Sequence, residues 1–148
     1  MKKERKGTSL VFGAAFVVLG VTAACSTTTE PDEKPTRADI QVTGESTVPL
    51  RLVVSTDFFE TLDQVSGVRA QVFNSADTTF IETLPFERTV QLTDLGSIVV
   101  DLSNPSEIEA SVRLQVTVDS GQEPFDRSAI MSQGGALRYV FTFFAPTF

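Results

Sequence analysis

The sequence predicts an all-β domain, an antiparallel β-sandwich of seven to eight strands. Two observations carry that expectation. Apolar and polar residues alternate with period two along most of the chain, most clearly over residues 108–118 (IEASVRLQVTV), where every even position is apolar and every odd one polar. That spacing puts one face of a strand on a core and excludes a helix there. Clusters of turn residues recur between the alternating segments: Asn74-Ser75-Ala76-Asp77, Asp94-Leu95-Gly96, Asn104-Pro105-Ser106, Asp119-Ser120-Gly121 and Gly134-Gly135. They supply the backbone freedom or side-chain capping that turns need.

Taken in order, Ala38, Ile40 and Val42 alternate with Asp39, Gln41 and Thr43, and then Val48, Leu50, Leu52 and Val54 with Pro49, Arg51, Val53 and Ser55. Residues 44–47 (GEST) read as a hairpin turn between these two strands. Further strands are expected over 68–73, 80–84, 86–92, 97–102 and 136–144, the last with Leu137, Tyr139, Phe141 and Phe143 inward. Two stretches break the alternation, 55–66 (STDFFETLDQVS) and 122–133 (QEPFDRSAIMSQ). Each is longer than a hairpin requires and reads as a long loop, the kind of segment on which binding residues gather. In the first, Phe58, Phe59, Leu62 and Val65 stand at near-helical spacing and predict a helical turn closing one end of the sandwich. Phe58, Phe59, Phe125 and Asp126 are the candidate binding residues, with plugging of the core ends as the plainer role for Phe58 and Phe125.

The spacing of strands resembles an immunoglobulin-like or fibronectin-like module. The chain has one cysteine and no tryptophan, so the cysteine pair and buried tryptophan of true immunoglobulin domains are missing and the resemblance implies architecture alone.

A chain of 148 residues is expected to hold one domain plus a leader or tail. Lys2, Lys3, Arg5 and Lys6 make a positive start, and residues 10–21 an apolar run broken by Gly13 and Gly20. The run is short of the roughly 20 residues a membrane span needs and reads as the core of a signal peptide. The residues Val21-Thr22-Ala23-Ala24-Cys25 that follow resemble a lipobox, with Thr22 where leucine is usual. That resemblance to bacterial lipoproteins implies cleavage before Cys25 and acylation of its sulfur. Ser26 is similar to the residue that directs such proteins to the outer membrane. Ordinary cleavage after Ala24, leaving a free thiol, is the alternative. An unpaired cysteine outside the cytoplasm is a liability unless capped, and a thioether to lipid caps it. With about 0.8 kcal/mol per buried methylene, two or three acyl chains hold where one is marginal. The expected organisation is a signal peptide over 1–24, Cys25 and a flexible tether over 25–37 (CSTTTEPDEKPTR), and the sandwich over 38–148.

The net charge of -7 becomes -10 beyond residue 25, with eight basic against eighteen acidic residues. Phosphate backbones are repelled by that field, so nucleic acid is not an expected partner. The absence of histidine removes Ser-His-Asp and Cys-His catalysis and ordinary zinc sites. No glycine-rich phosphate loop occurs, and Lys34 is the one lysine beyond the leader. Glu107 and Glu109 are expected on one side of a strand, a carboxylate pair that reads as solvent-facing charge rather than glycosidase machinery. Asp119, Glu123 and Asp126, and separately Asn74 and Asp77, lie close in sequence but match no calcium-loop pattern.

No cofactor and no enzymatic activity are therefore expected. The expected partners are a membrane, through lipid on Cys25, and an unknown protein or envelope polymer bound by the sandwich. The competing readings are an envelope enzyme that gathers Asp57, Glu60, Asp63, Asp119, Glu123 and Asp126 at one end, and a carrier with an apolar cavity between its sheets.

Overall fold

The computed structural model describes residues 33–62 and 67–143. Its strands are β1 (Arg37–Glu45), β2 (Leu50–Leu62), β3 (Arg69–Ile81), β4 (Phe86–Gln91), β5 (Ile98–Ser103), β6 (Ala110–Val118), β7 (Phe125–Met131) and β8 (Ala136–Phe141). They form two four-stranded antiparallel sheets, in the orders β4-β1-β6-β7 and β3-β2-β5-β8. The expected all-β antiparallel sandwich is what forms. In strand order β1 and β2 lie in opposite sheets, whereas the immunoglobulin constant arrangement keeps its first two strands side by side.

The period-two pattern explains the two central pairs. β1 and β6 set Ile40 against Val116 and Val42 against Leu114. β2 and β5 set Leu52 against Leu102 and Val54 against Val100. All eight side chains are buried and belong to one core between the sheets, each worth roughly 1.5–3 kcal/mol of transfer out of water. Leu137, Tyr139, Phe141 and Phe143 pack on that core as the alternation predicts.

Several expectations are corrected. Residues 44–47 carry the chain from one sheet to the other instead of turning a hairpin, since β1 already has β4 and β6 on its two sides. Gly44 makes the passage possible. Its φ is +120°, and a Cβ there would fall 2.2 Å from the Ser111 carbonyl oxygen. Residues 74–77 do not end a strand but lie inside β3, which merges the two strands expected over 68–73 and 80–84. Residues 55–62 are no loop and form no helical turn, because β2 continues to Leu62. Most of 122–133 is likewise strand, β7. β6 begins only at Ala110, which leaves Ile108 55% exposed and places Glu107 and Glu109 in the connection before the strand. The sandwich also takes up the chain earlier than residue 38, with Pro35 fully buried and β1 starting at Arg37.

The edges of the sandwich are tied across the sheets. Arg88 of β4 donates to Asp77 and, at 3.2 Å, to Thr79 of β3. On the opposite edge Phe125 of β7 packs on Tyr139 of β8 with ring centroids 5.1 Å apart. Asn104, fully buried between β5 and β6, donates from Nδ2 to the carbonyls of Ile108 and Met131 and accepts at Oδ1 from the Ser106 N–H. Its own backbone bonds to Gly134 and Gly135 close the same end of the molecule.

Candidate functional site at the Arg37 end

Strand direction decides which segments meet. Arg37 opens β1 opposite Gln91, the last residue of β4, and Ala38 faces Val118, the last residue of β6. Leu92 N–H donates to Thr36 O at 2.8 Å, Asp119 N–H to Arg37 O at 3.1 Å, and Thr93 Oγ1 to Thr56 O at 2.9 Å. Residues 33–36, the β2 bulge at Thr56, the 92–97 turn and the 119–124 turn therefore share one end. Chain leading back to Cys25 leaves from this end, and Cys25 itself lies outside the described residues.

Asp119 is the clamp of that end. Its Oδ1 accepts from the backbone N–H groups of Thr36 and Arg37 at 2.8 and 3.0 Å, and its Oδ2 from the Thr36 hydroxyl at 2.8 Å. These donors favour the charged form, with the Arg37 N–H first among them, and hold the carboxyl below the usual aspartate range. Asp119 thus fixes the point at which the leading segment becomes β1.

The four candidate binding residues are spread over two elements in opposite sheets. Phe58 is buried opposite Phe73, whereas Phe59 beside it is 48% exposed opposite Val72. Phe125 packs partly on the core and carries Arg127 6.0 Å above its ring. Asp126 accepts from Arg113 Nε at 2.7 Å, from Arg113 Nη2, and from Gln115 Nε2 at 3.2 Å. The Arg113 hydrogen bonds lower its carboxyl, and the same pairing raises the Arg113 guanidinium. Asp126 is therefore engaged with its sheet neighbours.

Two of the other acids are similarly occupied: Asp57 accepts from Asn74 Nδ2 at 2.9 Å, and Glu60 faces Arg69 at 3.5 Å. Asp63 lies outside the described residues. Among the described residues no three His, Cys, Asp or Glu side chains gather as metal ligands would.

The feature sequence reasoning missed is the shape of the β2–β3 hairpin. β2 pairs with β5 only as far as Ser55 opposite Val99, while it pairs with β3 out to Leu62 opposite Arg69. A bulged register separates the two halves between Val54 and Phe58. Ser55, 2% exposed, pins the bulge by donating to Ser75 O at 2.6 Å and accepting from Asp57 N–H at 3.3 Å. Beyond it the two strands continue as a ribbon with no third strand among the described residues. Its base covers part of the outer sheet face, where Phe73 lines one depression with Val53, Asp101 and Arg138. Its far part presents Phe59, Leu62 and Val72, between 41% and 59% exposed, and Leu95 of the neighbouring turn is 54% exposed.

Comparison with protein-family models, curated proteins and solved structures finds no match. The site is thus read from its own geometry. The outer face of the β4-β1-β6-β7 sheet bears an open depression of about 350 Å³ lined by Asp39, Gln41, Glu87, Thr89 and Gln115. Its side chains bond one another, Gln41 to Glu87 at 2.7 Å and Thr89 to Asp39 at 2.6 Å.

Proposed function

We propose that this protein is a lipoprotein of the bacterial cell envelope, anchored through acylated Cys25, whose β-sandwich is a non-enzymatic binding or structural module. The observation that carries the reading is the leader, a basic start and a short apolar run ending in Val21-Thr22-Ala23-Ala24-Cys25. The fold is compatible with such an anchor, because Asp119 clamps Thr36 and Arg37 at one end of the sandwich, where the described chain begins. Ser26 after the cysteine favours the outer membrane.

The competing readings have less to stand on. An enzyme built on carboxylates requires acids that converge unpaired, whereas Asp57, Glu60, Asp119 and Asp126 each have a partner of their own. A carrier requires space between the sheets, where the central positions are filled by packed Ile, Leu and Val.

The deciding experiment is the intact mass of protein extracted from membranes, wild type beside Cys25→Ser. A chain beginning at residue 25 and heavier by two or three acyl groups, with that mass lost in the variant, is the expected result. An unmodified, soluble chain would end the reading and place ordinary cleavage after Ala24.

A further inference from the structure

We propose that the open side of the sandwich, between the edge strands β7 and β8, binds an extended segment of another protein that brings one Asp or Glu to Arg127. The inference rests on the binding-module part of the reading above, for which it names the surface and the partner, and does not depend on the anchor.

The two edge strands of the β4-β1-β6-β7 sheet are built alike. Residues directly opposite in an antiparallel pair share a face. Phe86, Arg88 and Val90 of β4 stand opposite Val42, Ile40 and Ala38, and Phe125, Arg127 and Ala129 of β7 stand opposite Val116, Leu114 and Val112. Those six partners are core residues, so each edge turns a phenylalanine, an arginine and an aliphatic residue toward the inside of the sandwich. A charge on that side needs a counter-ion or access to water.

The two arginines are met differently. Across from β4 runs β3, whose core-facing side carries Asp77 opposite Val54 and Thr79 opposite Leu52. Arg88 donates to both, and its side chain is only 29% exposed. Across from β7 runs β8, whose core-facing side carries Leu137, Tyr139 and Phe141, opposite Leu102, Val100 and Ile98, and no acid. Arg127 is exposed there and among the described residues has no hydrogen bond and no ion pair. Its guanidinium stands 6.0 Å over the Phe125 ring, which packs on Tyr139. Asp126, its chain neighbour, lies on the outer face opposite Gln115. Arg113 holds it there, its hydrogen bonds doing most to keep the Asp126 carboxyl low and the Arg127 charge least. The place that Asp77 fills for Arg88 is thus unfilled for Arg127.

Strand edges select the form of the partner. Among the described residues β7 pairs with β6 alone and β8 with β5 alone, so each keeps an edge on which a further strand can be laid. A strand set antiparallel on β7 with its acid opposite Arg127 places the residues two positions to either side opposite Phe125 and Ala129. Those two residues are therefore apolar. A second copy does not fit the description. Its β4, β7 and β8 carry no acid on their core-facing sides, and Asp77, the one acid of β3, is taken by Arg88. The net charge of -10 beyond residue 25 repels a segment rich in acids, so the partner carries its carboxylate among uncharged or basic residues.

The test titrates the isotope-labelled mature protein with the capped peptide Thr-Val-Thr-Asp-Thr-Val-Thr and with its Asp→Asn analogue, following backbone amide shifts. Shifts should run along β7 and β8. The Asn analogue should bind about ten-fold or more weaker, the loss expected when a hydrogen bond between charged groups is replaced by a neutral one. Arg127→Gln should weaken the Asp peptide by the same factor, while Arg51→Gln, at an exposed position of β2, should change nothing. The comparison of the two peptides on the wild-type protein holds whether or not the variants fold. No shift at millimolar peptide, shifts elsewhere on the sandwich, or equal binding of the two peptides would overturn the inference and leave the anchor standing. A Cys25 of unmodified mass would end the anchor and leave the β7–β8 surface untouched.

Discussion

Asn104 offers the sharpest test of how the sandwich is closed. Its side chain is fully buried and makes three hydrogen bonds of 2.8 to 2.9 Å, to Ile108 O, Met131 O and Ser106 N–H. In Asn104→Ala all three backbone groups lose their partner. Each such bond contributes a net 0.5–1.5 kcal/mol, and the buried Met131 carbonyl left unsatisfied costs more, so the loss should be about 3 kcal/mol. In urea, with a slope of about 1.5 kcal/mol/M for a domain of this size, the unfolding midpoint should fall by about 2 M. A companion variant isolates the hydrogen-bond argument from packing. Asn104→Asp keeps the volume but turns a carboxylate toward the Ile108 and Met131 carbonyls, with no proton to donate. Its folded pKa should rise above the unfolded aspartate value of about 3.9. The protonated form's advantage is then complete below that value and lost as pH rises through the folded value. The gap in stability between Asn104→Asp and wild type should therefore narrow from neutral to acid pH. A midpoint shift below about 0.5 M for Asn104→Ala, or a gap that does not depend on pH, would refute the account.

Gly44→Ala should cost about 3 kcal/mol or more, because strain at positive φ adds to the overlap with Ser111 O, and a thermal scan with an unchanged Tm would contradict it. Asp119 has a depressed folded pKa, so its contribution is present above the unfolded aspartate value and lost as pH falls through the lowered one. Asp119→Asn should accordingly flatten the acid limb of the stability curve measured by urea titration at successive pH values. The exposed Arg113–Asp126 pair should count for little despite its short contacts, and alanine at either position is expected to leave the denaturation curve within fitting error. For the anchor, Cys25→Ser should move the protein from the membrane to the soluble fraction on cell fractionation.

The legible parts of the fold were those in which one face of a strand meets the core. Ile40 and Val42 on β1, Leu52 and Val54 on β2, and Val112, Leu114 and Val116 on β6 are buried where alternation placed them. Sheet partnership was not legible, since alternation reports a buried face without saying against which neighbour. That is why 44–47 read as a hairpin although β1 and β2 part to opposite sheets. Turn chemistry misled at 74–77 because Asn, Ser and Asp suit a bulge as well as a chain reversal, and here the Asn74 side chain donates to Asp57 in the bulged stretch while Ser75 accepts from the Ser55 hydroxyl at its backbone carbonyl. β7 was hidden by an edge position. Asp126, Arg127 and Ser128 are exposed on both faces of the strand, with only Met131 buried.

The misreading of residues 55–62 leads to the candidate site itself. Period two appears only while one face of a strand is wet and the other dry. Past Ser55 opposite Val99 the β2–β3 pair has no third strand beside it among the described residues, and the two faces of the ribbon cease to differ as they do in the sheet. Phe58 is covered, Phe59 and Leu62 are exposed, and Glu60 stands between them, a pattern that imitates helical spacing in a sequence scan. Loss of alternation inside a continuous strand thus marks where the chain leaves the core for a surface of its own.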